Sequence, residues 1–162
     1  MPNLPNRKRL RLPNYNYSQA GYYFITICTK DNRQLLGQVI HSTENNIVHV
    51  TLTQTGQTIQ SYLEKMNAAD DISLERYVIM PNHVHLLIAI QKGCATTDPT
   101  KAILPNIVHG LKSAVTRQAG ASVWQRSYHE HVVRSEKTYL RICRYIDENP
   151  LKWAQDCYYT DM

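Results

Sequence analysis

Two histidines, His83 and His85, stand two positions apart inside the apolar run from Tyr77 to Ile90. The run is rich in β-branched residues and has the length of a strand. Strand side chains alternate between faces, so both imidazoles leave one face with Cα atoms about 7 Å apart, while Val84 points the other way. Two imidazoles so placed can share a metal ion; they can also be a polar strip on an amphipathic strand. The flanking Val78, Met80, Leu86, Leu87, Ile88 and Ile90 are apolar on both faces, which describes a covered strand. Buried polar groups left unpaired cost roughly 1–3 kcal/mol each, so the pair needs a ligand or hydrogen-bond partners.

A second pair lies late in the chain. Tyr145 and Asn149 fall at i and i+4 of a helical pattern and project from one face, one turn apart. Asn149 offers a carbonyl oxygen to a hard cation, and Tyr145 a phenol that serves as a nucleophile once its proton, with a pKa of about 10, is displaced. Plain structural roles fit too: there are 11 tyrosines, and an asparagine before a proline, here Pro150, is a common helix end. Tyr139, earlier in the same helix, lies about 240° from Tyr145 around an ideal helix and cannot share its face.

The elements that must carry these residues follow from periodicity and turn chemistry. Tyr22 to Thr29 is aromatic and β-branched and predicts a first strand, stopped at Asp31-Asn32. Residues 35–40 and 47–50 predict a hairpin around the polar turn 42–46. Ile59, Leu63 and Met66 repeat at helical spacing within 53–66. Residues 74–80 and 83–90 are strands joined at Pro81-Asn82, as a hairpin or as one interrupted strand. A polar loop spans 91–100. Ile103, Ile107, Leu111, Ala114 and Val115 define a helix over 103–118, ended by Gly120. A strand is predicted over 123–133, then a helix capped by Ser135 and closed by Pro150. Strands and crossing helices in this order predict an α+β plait of ferredoxin-like type.

The chain has 162 residues, 43% hydrophobic and 19% charged. That composition fits one folded domain over 1–162 and excludes wholesale disorder. A net charge of +5 favours phosphate-bearing partners. Arg7, Lys8, Arg9 and Arg11 make a basic arm within about residues 1–16, suited to nucleic acid or to plain solvation. Cys28, Cys94, Cys143 and Cys157 form no C-x-x-C pair, which predicts reduced thiols and a cytoplasmic location. No signal core or membrane-length apolar stretch is present in the sequence.

Taken together, the stretches Tyr17 to Thr26, Tyr77 to Leu87 with Met80-Pro81-Asn82-His83-Val84-His85, Trp124 to Tyr128, and Arg144 to Pro150 resemble the single-tyrosine HUH transposases. The resemblance is to the REP-associated tyrosine transposases and their insertion-sequence relatives, and it spans most of the chain. It implies a DNA strand-transferase in which His83 and His85 are metal ligands, Tyr145 is the nucleophile and Asn149 stands where many relatives have Gln. The Asn arm is shorter than Gln by one methylene. The implied cofactor is Mg²⁺ or Mn²⁺, and the implied chemistry yields a 5′-phosphotyrosine and a free 3′-hydroxyl.

The implied partner is single-stranded DNA, hairpin-forming in the relatives, with a homodimer as a further expectation. Arg7, Lys8, Arg9, Arg11, Trp124, Arg126, Tyr128 and Arg134 are candidates for the cations and stacking rings such binding uses; Trp124 and Tyr128 are equally suited to a core. Two rival functions are a DNA-binding module without catalysis and a metal-dependent hydrolase of a small molecule. The hydrolase would need further ligands, and His41, His49, His109, His129 and His131 form no recognisable set.

Overall fold

The computed structural model describes residues 19–42, 47–66, 71–92 and 102–159. The basic arm at Arg7, Lys8, Arg9 and Arg11 lies outside the described residues, as do Cys94 and most of the loop expected over 91–100. In chain order the elements are β1 (Gly21–Cys28), β2 (Gly37–His41), β3 (Val48–Leu52), α1 (Gln54–Met66), β4 (Ile72–Ile79), β5 (His83–Ile90), α2 (Ile103–Ala119), β6 (His129–Val133) and α3 (Glu136–Glu148).

Four strands make one antiparallel sheet in the order β4-β5-β1-β6, while β2 and β3 pair separately as a hairpin. With that hairpin set aside, the order β-α-β-β-α-β is the ferredoxin-like plait, to which α3 is added. Pro81-Asn82 is a hairpin turn, closed by a hydrogen bond from the Met80 amide to the His83 carbonyl, 2.8 Å.

β5 is central and buried along its whole length, as its apolar sequence on both faces requires. On one face Val84, Leu86, Ile88 and Ile90 pack with Tyr23, Ile25 and Ile27 of β1 against Ile59 and Leu63 of α1 and Leu104, Val108 and Leu111 of α2. Each such side chain contributes about 1.5–3 kcal/mol through burial. On the opposite face Leu87 and Val133 meet Ile142 and Ile146 of α3, with Phe24 and Val78 alongside. That second face carries the histidines.

α3 starts as the sequence predicts: Ser135 accepts from the Thr138 amide and Glu136 occupies the first turn. β6 is shorter than the predicted strand over 123–133. Residues ahead of it contribute only a bridge between Trp124 and Thr29, and the Lys112 ammonium donates to the carbonyls of Gln125 and Ser127 at 2.9 and 3.0 Å. These carbonyls are satisfied by a side chain where a strand would use a neighbour.

Candidate active site and its geometry

β5 sets the first half of the site. His83 and His85 are 0% and 1% exposed, with ring centroids 4.5 Å apart. The turn residue Asn82 fixes the state of His83. Its Nδ2 donates to the carbonyls of Asn32 and Tyr158 at 3.1 and 2.7 Å, which turns Oδ1 toward His83 Nδ1 at 2.9 Å. A carbonyl oxygen only accepts, so Nδ1 carries the proton and Nε2 keeps its lone pair. His85 Nδ1 lies 2.8 Å from the Thr26 hydroxyl of β1, its cross-strand partner in the register.

α3 sets the second half. Tyr145 Oη lies 3.3 Å from His85 Nε2, and Tyr145 remains 39% exposed. Asn149, one turn on, is 2% exposed. Tyr139 is engaged elsewhere, donating to Glu75 on β4 at 2.9 Å; a register shift between Leu74 and Arg76 marks a bulge at that point of β4.

Asp156, which no sequence pattern singles out, joins the site. Beyond Pro150 a short 3₁₀ turn, Trp153–Gln155, carries the chain back over the site. Asp156 Oδ2 accepts from Asn149 Nδ2 at 2.8 Å and lies 3.4 Å from Tyr145 Oη, while Oδ1 accepts from the Tyr158 amide at 2.8 Å. Ligand atoms of His83, His85 and Asp156 all lie within 4.8 Å of one another. The Tyr158 and Trp153 rings flank His83 at 4.7 and 6.0 Å. No periodicity marks Asp156; an acid amid the C-terminal aromatics was the one available signal.

The electrostatics favour neutral imidazoles. Burial pushes His83 down to about 4, against the pull of the Asp156 carboxylate and the Asn149 amide. Burial, and then His83, push His85 well below its ordinary value. Burial and the Asp156 charge push the Tyr145 phenol up, so the resting phenol keeps its proton.

His83 Nε2 and Asn149 Oδ1 are buried with no hydrogen-bond partner among the described residues. Both are lone-pair atoms, and each is left over after its neighbour atom is fixed by a bond to Asn82 or Asp156. Two orphaned lone pairs beside a carboxylate fit a cation, and the mixed imidazole, amide and carboxylate donor set suits Mn²⁺ or Mg²⁺. A hollow of about 480 Å³ opens over Tyr145, lined also by Arg141, Arg144, Asn149, Lys152 and Asp156.

The other sequence candidates are scattered. Trp124 is 7% exposed and belongs to the main core, one of the two roles open to it from the sequence, and it also lines a shallow hollow beside Arg126. Tyr128 packs on the same core with the Lys112 ammonium 6.0 Å from its ring centre. Arg126 is exposed beside Lys112 and Arg117. Arg134 is exposed at the start of α3. Among the described residues, His41, His49, His109, His129 and His131 lie on β2, β3, α2 and β6, outside the His83–His85–Asp156 group. The thiols of Cys28, Cys143 and Cys157 are free.

With this geometry in hand, comparison with known proteins places the chain. The family described as transposase IS200-like matches residues 17–149. The chain belongs to that family of transposases and is an enzyme of DNA transposition by class. It is 36% identical to a Haemophilus influenzae protein without an assigned function, over 96% of this chain and 94% of that protein. It is 23% identical to another H. influenzae protein, provisionally named REP-associated tyrosine transposase, over 85% of this chain and 74% of that one. A solved REP-associated tyrosine transposase bound to a REP hairpin has the same fold, with a TM-score of 0.65 and 21% identity, covering 90% of this chain and 75% of that one. No described helix is long and apolar enough to cross a membrane.

Proposed function

We propose that this transposase cuts and rejoins single strands of DNA, with Tyr145 as the nucleophile. The observation that carries the reading is the position of the half-exposed Tyr145 hydroxyl, 3.3 Å from His85. It stands beside a buried cluster of neutral imidazoles, an amide oxygen and a carboxylate. His83, His85 and Asn149, joined by Asp156, would hold the divalent ion, Mg²⁺ or Mn²⁺. Such an ion supplies Lewis acidity that polarises a phosphodiester and stabilises the departing oxygen.

The chain's own residues do the rest. Asn82 and Thr26 hold the two imidazoles in orientation. Arg141 and Arg144, lining the hollow over Tyr145, offer charge to phosphates of the bound strand. As the Tyr145 Oη–P bond forms and the P–O3′ bond breaks, the phenol proton leaves toward Asp156, whose Oδ2 lies 3.4 Å away. The 3′-oxygen departs and takes a proton from water to become a 3′-hydroxyl. The phosphotyrosine conserves the ester bond, so another 3′-hydroxyl can reverse the step on a new strand without ATP. In this reading the Tyr145 that acts on a site is the one in the same chain, supported by its contact with His85. Hairpin-flanked single strands are the substrate class, supported by the fold shared with the hairpin-bound relative.

The test is a denaturing gel of the protein with labelled single-stranded hairpins from its genomic flanks, with Mn²⁺, Mg²⁺ or EDTA. A metal-dependent covalent band, lost in Tyr145→Phe, is expected. A band that survives in Tyr145→Phe removes Tyr145 from the role, and hairpin binding without any band favours a binding module lacking catalysis.

A further inference from the structure

α3 packs on β4 and β5, on the sheet face that holds His83 and His85. On that face α3 also reaches Phe24 of β1 and Val133 of β6. Their register sets Thr26 opposite His129 and Phe24 opposite His131. Directly opposed residues of an antiparallel pair share a face. Thr26 contacts His85 and Phe24 contacts both His85 and Tyr145, with ring centroids 5.2 and 6.2 Å apart. His129 and His131 therefore stand on the site's face, and both are exposed.

The neighbouring residues Glu130 and Val132 point to the other side, where Val132 packs on the core. Neither His129 nor His131 belongs to a core cluster, so packing does not account for them. What they offer is flat ring surface beside a nucleophile. Their Cα atoms are about 7 Å apart, twice the roughly 3.4 Å spacing of stacked bases. That spacing matches what a base stacked between two rings requires. On α3, Arg141 lies one helical turn before Tyr145, about 40° from it around the helix, exposed and lining the hollow over Tyr145. Rings for bases with a cation for the backbone are what single-strand recognition requires, and histidine is among the rings used.

We infer that the β1–β6 half of this face is the docking platform for unpaired bases adjoining the cleaved phosphate, with His129 and His131 as the stacking rings and Arg141 on the backbone. The inference rests on the tyrosine strand-transferase reading and adds to it where the strand lies.

The probe is a fluorescent 12-residue oligothymidylate, read by anisotropy with wild type, the His129→Ala/His131→Ala double variant and the His129→Phe/His131→Phe double variant. A copy with 5-iodouracil serves for photocross-linking and peptide mapping. Thermal melts check that each variant folds. The alanine pair is expected to bind roughly tenfold or more weakly, the phenylalanine pair to regain most of that, and cross-links to fall in β1 and β6. A merely structural role would not be rescued by rings that cannot hydrogen-bond. Equal binding by the alanine pair, failure of the phenylalanine pair to rescue, or cross-links confined elsewhere overturns the platform. If wild type forms its Tyr145 adduct in any of those cases, the platform alone fails. Absence of the adduct overturns the reaction, and the cross-link map then decides the platform by itself.

Discussion

Replacing Asn82 by alanine is expected to loosen three segments and, with them, one imidazole of the proposed metal site. The side chain is 0% exposed and makes bonds to Asn32, Tyr158 and His83. Asn82→Ala leaves two carbonyls and one imidazole N–H without their partner, at about 1–3 kcal/mol for each group that water cannot reach. Water admitted to the gap left by the side chain would recover part of that. A net loss of about 3 kcal/mol follows, or a drop of roughly 1–3 M in the urea midpoint. His83 is then free to exchange tautomers, and loss of such an orienting bond lowers metal affinity about 10–100-fold.

Asn82→Asp separates the two effects. It keeps an acceptor for His83 Nδ1 but turns a carboxylate toward the two carbonyls, so stability should fall while Mn²⁺ affinity holds. Urea denaturation of the metal-free protein and Mn²⁺ titration by electron paramagnetic resonance read the two quantities independently. An Asn82→Ala protein with an unchanged midpoint and unchanged Mn²⁺ affinity would refute the reasoning from hydrogen bonds to tautomer.

Because burial holds His83 near 4 against 6.5 when unfolded, the unfolded chain binds more protons between those values. Metal-free stability should be complete above pH 6.5 and decline by about 3 kcal/mol as pH falls toward 4, with His85 acting in the same direction; urea midpoints that stay flat across that window would contradict it. Trp124→Ala should cost about 3–5 kcal/mol through a core cavity, and differential scanning calorimetry showing an unshifted melt would place Trp124 outside the core. In Gly56→Ala the new Cβ would collide with the Leu36 backbone carbonyl, so soluble yield and melting temperature should both fall; a wild-type melt would show that α1 can shift. Ser135→Ala should lower stability by about 1 kcal/mol through its lost cap on α3, measurable in urea.

Much of this architecture is legible in the sequence where local pattern and tertiary role agree. β5 begins and ends where its apolar run predicts, at His83 and Ile90, because a strand buried on both faces needs apolar side chains throughout. The helices over 54–66 and 103–119 match their periodicity to within a residue or so. The strand predicted over 123–133 is half loop, since Val123 and Trp124 are apolar for packing and an alternating pattern does not tell a core-bound loop from a ladder. The register shift in β4 that brings Glu75 to Tyr139 has no signature in composition. Asp156 was hidden for a related reason: its place beside Asn149 is made by a turn after Pro150, in a segment with no repeat to read.

The two halves of the site are held with unequal stiffness. β5 is bonded on both edges, to β4 and to β1, and its other face is sealed by two helices. The amides of His83 and His85 should thus exchange with solvent only through near-global unfolding. Tyr145 rides on a helix whose buried anchor is chiefly Ile142 and Ile146. A tilt of α3 would disturb that apolar cluster but break no strand pairing. The histidine half of the site is thus fixed by strand pairing on both edges, while the Tyr145 half is held to the sheet by the apolar contacts of α3 and the Tyr139–Glu75 hydrogen bond.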